Sequence, residues 1–117
     1  MGLVSNYRKD RGMRSQKVSA EYVRDIWPFA DTAGAGRSGQ DILNTPGFSG
    51  EVKARTGLNL GAWLKQAVEA TAPGDYPYLV VRLNGQGEAT IGDWPVVMRF
   101  SDWKRLVKQA GYGTPAF

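Results

Sequence analysis

Two carboxylates and an amine lie close together in the sequence, at Asp41, Glu51 and Lys53. Glu51 and Lys53 are two residues apart, so on a β-strand their side chains share one face. The turn-forming segment Thr45-Pro-Gly47 precedes this strand, so a hairpin would bring Asp41 to a neighbouring strand about 5 Å away. Carboxylates bind Mg²⁺ through oxygen, and a bound divalent ion activates water and stabilises charge on a phosphate. The three residues therefore predict a metal-dependent nuclease site, and the backbone carbonyl of Val52 is a further candidate ligand.

Composition restricts the chemistry that this chain can perform. Its 117 residues include no Cys and no His, which excludes disulfides, thiolate metal sites, imidazole bases and His-containing triads. An enzyme of this composition depends on Asp, Glu, Lys, Arg, Ser, Tyr or a metal, which favours an oxygen-ligated hard cation. The same three charges also fit a solvated strand face without a catalytic role, and their spacing alone does not separate the two interpretations.

Length and hydropathy predict a single domain without a membrane span. Hydrophobic residues make up 42% of the chain, enough for a core, and no apolar run is long enough to cross a bilayer. The polar N-terminal segment lacks the apolar stretch of a signal peptide, so we expect a cytoplasmic protein.

The excess positive charge lies at the N-terminal end. The formal net charge is +4, and residues 1–17 account for all of it with five basic side chains and one acidic one. We interpret residues 1–11 as a basic, flexible arm and residues 12–117 as the folded domain. Such an arm suits a phosphate backbone, and a solubilising tail is the alternative. The candidate DNA contacts are Arg8, Lys9, Arg11, Arg14 and Lys17, with Arg37, Arg55 and Lys65 further along the chain.

Hydrophobic periodicity and turn residues predict an α/β fold with a small mixed sheet flanked by helices. The order is α-β-β-β-α-β-β-α. Helices are predicted over residues 12–26, from 59 to the Pro73-Gly74 turn, and from Ser101 to Gly111. Strands are predicted over residues 27–32, 40–44, 48–55, 78–83 and 94–100. In the last helix Trp103, Leu106, Val107 and Ala110 are expected to face inward, and Trp63 is expected to pack in the core.

A resemblance to a known family adds to this interpretation. The segments Gly39-Gln-Asp41-Ile42, Pro46-Gly47-Phe48 and Glu51-Val-Lys53 resemble the motif of the PD-(D/E)xK nuclease superfamily, in particular the archaeal-type Holliday junction resolvases that some bacteriophages also encode. The following helix, the two later strands and the closing helix fall in the family's order, so the likeness covers roughly residues 10–112. Only the acid/acid/Lys core is chemically specific. The resemblance implies a restriction-endonuclease-like fold.

The resemblance also implies roles for individual residues. Asp41 and Glu51 would be metal ligands for Mg²⁺, with Mn²⁺ as a substitute, and Lys53 would position water or stabilise charge. The family commonly has an acid on its first helix, where this chain has Gln16, which offers an amide oxygen but no charge. Glu21, about 140° further round that helix, is the second choice.

Ser38 corresponds to a serine that the family has before its first acid, and Arg37 beside it is a candidate phosphate contact. The implied function is a Mg²⁺-dependent endonuclease that cuts branched DNA, in particular four-way junctions, in the bacterial host cytoplasm if the chain is phage-encoded. Symmetrical cutting needs two active sites, which implies a homodimer. The alternatives are a nickase or flap-type nuclease of the same fold, and a non-catalytic DNA-binding scaffold protein, which the substitution at Gln16 keeps open.

Overall fold

In the described part of the chain, a five-stranded mixed sheet with three α-helices forms the fold, so the predicted α/β class is confirmed. The computed structural model describes residues 2–33 and 39–114, with side chains from residue 7 onward. Strands follow one another in the order β1-β2-β3-β4-β5 across the sheet. The elements are α1 (Gly2–Tyr22), β1 (Asp31–Thr32), β2 (Ile42–Leu43), β3 (Phe48–Lys53), α2 (Leu60–Glu69), β4 (Tyr76–Val81), a 3₁₀-helix (Glu88–Asp93), β5 (Val96–Val97) and α3 (Phe100–Gln109).

The central strands β3 and β4 are parallel, and α2 is the crossover between them that a parallel pair requires. The other strand pairs are antiparallel. Leu79 and Val81 of β4 pack with Ala67 of α2 on one face of the sheet. Val52 of β3 packs with Ala20 of α1 on the other face. Because side chains alternate along a strand, Glu51 and Lys53 of β3 lie on the α2 face.

Helix α1 is longer at its start than the sequence pattern indicates. It begins at Gly2, so the residues predicted to form a flexible arm continue the helix. They include no proline, and a single glycine within a helix costs only about 1 kcal/mol. Contacts with the second half of the chain hold the helix: the Arg11 guanidinium donates to the carbonyl of Leu83, and Arg14 pairs with Glu88 at 2.6 Å.

The strands at the sheet edges are shorter than predicted. The expected strand over 94–100 is reduced to Val96–Val97, and the segment before it forms the 3₁₀-helix, which the sequence pattern did not indicate. Within residues 2–33 and 39–114, no helix combines the length and the apolar character that crossing a membrane demands.

Helix α3 presents a different face to the sheet from the one predicted. Trp103 is 50% exposed and Ala110 is also exposed, so their predicted inward orientation is wrong. The buried residue of α3 is Asp102, which accepts hydrogen bonds from Arg99 at 2.8 Å and Arg105 at 3.4 Å. These two charge-assisted hydrogen bonds satisfy the buried carboxylate, and Arg105 also ties the helix to the start of β4 by donating to the carbonyl of Gly74 at 3.1 Å.

Gly50, the residue before Glu51, leads to a first prediction about the strand that carries the site. A Cβ at Gly50 would lie 2.6 Å from the hydroxyl oxygen of Tyr78, whose ring is buried beside it on β4. We expect Gly50→Ala to lower the free energy of unfolding by about 1–3 kcal/mol, measured by urea denaturation. Gly61→Ala is the control: it meets no neighbour within 4 Å, and we expect little change or a small gain in stability. Equal midpoints for Gly50→Ala and the wild type would contradict the prediction.

Candidate active site

The backbone of the β2–β3 hairpin positions Asp41. Its N–H donates to the carbonyl of Gly50 at 2.8 Å, and its carbonyl accepts from the N–H of Ala33 at 3.0 Å. Its carboxylate Oδ2 accepts from the N–H of Val52 at 2.8 Å. The carboxylate is therefore held against β3, next to the side chain of Glu51.

Glu51 is a buried carboxylate in contact with a second one. Its side chain lies on β3 with a residue exposure of only 6%, and its carboxyl group lies close enough to that of Asp41 for the two to share a proton. Burial, followed by the charge of Asp41 and the hydrogen bond with it, raises the pKa of Glu51 from 4.5 to about 7, while the nearby Lys53 charge lowers it. At neutral pH a proton therefore occupies part of the Glu51 population, in a position where a cation would relieve the same repulsion.

Lys53 is held on the same face of the sheet by α2. Its Nζ donates to Oε1 of Gln66 at 3.4 Å and lies 6.0 Å from the centre of the Trp63 ring. Ala67 of α2 is fully buried against β4 and holds α2 on this face of the sheet. The amine of Lys53 therefore lies against α2, near enough to Glu51 for its charge to lower the pKa of that carboxyl.

Asp41, Glu51 and Lys53 open into one cleft of about 1080 Å³ between α1, the end of β3 and α2. Its charged lining is mainly basic: five cationic side chains face two carboxylates. The basic residues are Arg8, Lys9, Arg11, Lys53 and Arg55. A concave, positively charged surface with a carboxylate pair inside it suits a polyanionic ligand and a cation together.

The structure brings some of the other predicted site residues to the cleft and leaves others outside it. Gln16 and Val52 line it. Glu21, the second choice on the first helix, is exposed and lies outside the cleft, because a step of five residues from Gln16 turns it to another face of α1. The predicted contacts Arg14, Lys17 and Lys65 are also exposed and outside the cleft, and Arg14 is paired with Glu88. Ser38 and Arg37 lie outside the described residues.

Two residues of the site were not predicted from the sequence. Gln66 and Trp63 both line the cleft and both contact Lys53. Trp63 also packs on the core as expected, so it serves both the core and the cleft. The available signal was the β-α-β crossover, since it places the first turns of α2 above the end of β3.

The donor set fits a single hard cation. Across residues 2–33 and 39–114 no group of three or more acidic side chains lies together, but Mg²⁺ usually takes one or two carboxylates and keeps several waters. Asp41 and Glu51 supply two adjacent carboxylates, and the amide of Gln16 faces the same cleft.

Comparisons with protein-family models, with curated proteins and with solved structures found no significant match to this chain.

Proposed function

We propose that this chain is a metal-dependent, structure-selective DNA endonuclease of the PD-(D/E)xK type, with a restriction-endonuclease-like fold. The observation that carries the proposal is the contact between the carboxyl groups of Asp41 and Glu51, with Lys53 beside them, inside a basic cleft. A structural role alone does not explain this arrangement, because two carboxyl groups in contact within a half-closed site cost stability when both ionise.

Asp41 and Glu51 would hold Mg²⁺ or Mn²⁺, with the carbonyl of Val52 and the amide of Gln16 as further donors. When bound, such an ion supplies activation of water and stabilisation of charge on the phosphate. The residues of the chain perform the remaining tasks. Asp41 is oriented by the N–H of Val52, and the ammonium of Lys53 offsets negative charge on the phosphodiester oxygens. Gln66 keeps that ammonium in place through its amide oxygen.

The basic residues of the cleft would hold the DNA. Arg8, Lys9 and Arg11 belong to α1, Arg55 follows β3, and all four line the cleft that contains the carboxylates. A phosphate backbone held in this cleft would bring one phosphodiester to Lys53. Branched DNA, in particular a four-way junction, is the proposed substrate. Two symmetrical cuts in a junction need two active sites, so the proposed active form is a homodimer.

A non-catalytic DNA-binding protein is the second candidate, and Gln16 favours it. This side chain faces the cleft at the position where an acid would add a third charge for a metal. Such a protein would bind DNA through the same cations and would not cut it.

One experiment separates the two candidates. The protein is incubated with a labelled synthetic four-way junction, a flap and a linear duplex, in EDTA, Mg²⁺ or Mn²⁺. The endonuclease proposal predicts binding in EDTA and cleavage of branched DNA once either metal is added. Binding without cleavage under every metal condition would favour the second candidate, and the absence of any preference for branched DNA would contradict the proposed substrate.

The α1 cations lead to a prediction about the salt dependence of binding. Arg8→Ala/Lys9→Ala is expected to weaken junction binding and to reduce the slope of log K against log salt by about 1.8, since each phosphate contact contributes about 0.9. Binding measured in EDTA between about 50 and 200 mM salt tests this. Lys17→Ala is the control, because Lys17 is exposed on the same helix but lies outside the cleft. Equal slopes for the wild type and the double variant would show that α1 does not contact the phosphates.

A further inference from the structure

Helix α3 has an unusual orientation for a helix at the side of a sheet. Its buried side carries the charged residue Asp102, while large aromatic side chains face solvent. Phe100 is 80% exposed and Trp103 is 50% exposed. Exposed aromatic groups next to one another commonly mark a binding surface, because burying them against a partner is favourable.

The two aromatic rings form a pair beside a row of basic residues. The ring centres of Phe100 and Trp103 are 5.7 Å apart, with an angle of 33° between the planes. Lys104 and Lys108 are exposed and follow Phe100 at intervals of four residues, so the three lie in one row along the helix. We call the surface formed by Phe100, Trp103, Lys104 and Lys108 the aromatic–basic face.

The charge around this face selects the kind of partner. Residues 99–109 contain four basic side chains and one acidic one, Asp102. That carboxylate is buried and already bonded to Arg99 and Arg105. A second copy of the chain would bring the same lysines towards each other if the two α3 helices met. A polyanion with flat, stackable groups complements both the charge and the rings.

We infer that the aromatic–basic face binds single-stranded nucleic acid. Proteins that bind single strands combine aromatic side chains, on which bases stack, with cations that follow the backbone. If the chain has the proposed function, the bound single strand would be an unpaired arm of the branched DNA substrate; this part of the inference rests on that function. A junction or flap with a single-stranded arm is then expected to bind more tightly than the same branched DNA without that arm.

The position of α3 is compatible with one DNA molecule contacting both the cleft and the aromatic–basic face. Arg105 of α3 lies 3.7 Å from the ring of Tyr76 and donates to the carbonyl of Gly74, so the helix sits at the start of β4. The cleft residue Lys53 pairs in register with Val81 at the other end of β4. Five residue steps separate Tyr76 from Val81, and on a strand they span roughly 17 Å. About five stacked nucleotides have this length.

The test measures binding of a fluorescent oligothymidylate of about 20 nucleotides in EDTA, so that it does not depend on cleavage. Phe100→Ala and Trp103→Ala are each expected to weaken binding about tenfold. Lys104→Ala/Lys108→Ala is expected to lower the salt slope by about 1.4. The matched control is Phe29→Ala, because Phe29 is 81% exposed, as Phe100 is, but lies far along the chain before β1. Circular dichroism verifies that each variant is folded.

Unchanged oligothymidylate binding in Phe100→Ala, Trp103→Ala and the double lysine variant would overturn the inference. So would sedimentation that shows Trp103→Ala converting a dimer to a monomer with single-strand affinity intact, since a second copy would then cover the face. Failure of the endonuclease proposal gives a different result: the wild type cuts no DNA with metal, while the aromatic variants still lose single-strand binding.

Discussion

Lys53→Ala is expected to reduce cleavage of a four-way junction by about 10²–10³-fold and to leave junction binding nearly intact. The reason is the position of its ammonium, beside the Asp41–Glu51 pair and held by Gln66. In the reaction that we propose, it would act on charge that develops at the phosphate, while the other cleft cations would hold the DNA in the ground state. Single-turnover cleavage in Mg²⁺ and a binding titration in EDTA measure the two effects separately.

The control for Lys53→Ala is Lys65→Ala, which removes the same charge from an exposed position on α2 outside the cleft. We expect near wild-type cleavage for this variant. If Lys53→Ala weakened binding as strongly as it slowed cleavage, Lys53 would be a phosphate anchor, and the catalytic role would be wrong.

Glu51→Gln is expected to make the metal-free protein more stable at pH 8. The pKa of Glu51 is raised from 4.5 to about 7, mainly by burial and then by Asp41. Since the folded state binds this proton more tightly, the associated stability is present below pH 4.5 and is lost as the pH rises through 7. The neutral amide avoids that loss, so the gain in the free energy of unfolding is up to about 3 kcal/mol at pH 8. Urea denaturation in EDTA measures it.

Two further measurements test this explanation. Near pH 4.5 the gain from Glu51→Gln is expected to become small, because the wild-type carboxyl is then mostly protonated when folded. Mg²⁺ at pH 8 is expected to stabilise the wild type more than the variant, since a ligand that binds the folded state stabilises it. Glu69→Gln, at an exposed position of α2, controls for the loss of charge. A Glu51→Gln variant less stable than the wild type at pH 8 would show that the ionised carboxylate is favourable where it lies.

The grouping of residues at the centre of the candidate site was predictable from the sequence because it depends on local geometry. A period of two on one strand places Glu51 and Lys53 on a common face, and a tight turn brings Asp41 alongside. Gln66 and Trp63 are different, because their contact with Lys53 depends on how α2 crosses the sheet. The residue types and spacing of α2 do not specify the angle at which the helix crosses the sheet. The helical spacing of Trp63 is also that of a residue that only packs in the core.

The orientation of α3 shows what helical periodicity leaves open. An apolar stripe containing Trp103, Val107 and Ala110 is visible in the sequence, but periodicity does not state what the stripe faces. Asp102 is buried because Arg99 and Arg105, three residues before and after it, donate hydrogen bonds to its carboxylate. An acidic residue with arginines three residues before and after it therefore indicates that the polar side of a helix can pack against the sheet.

The parallel pairing of β3 with β4 also determines when the site is completed. The turn that joins β2 to β3 is local, but Phe48 pairs with Tyr76 and Lys53 with Val81, each 28 residues later in the chain. Contacts of such sequence separation form late and slow folding. A ribosome-bound nascent chain that ends within α2 therefore contains Asp41, Glu51 and Lys53 without the strand that supports them. The enzyme that we propose would remain inactive until its second half had been synthesised and had docked.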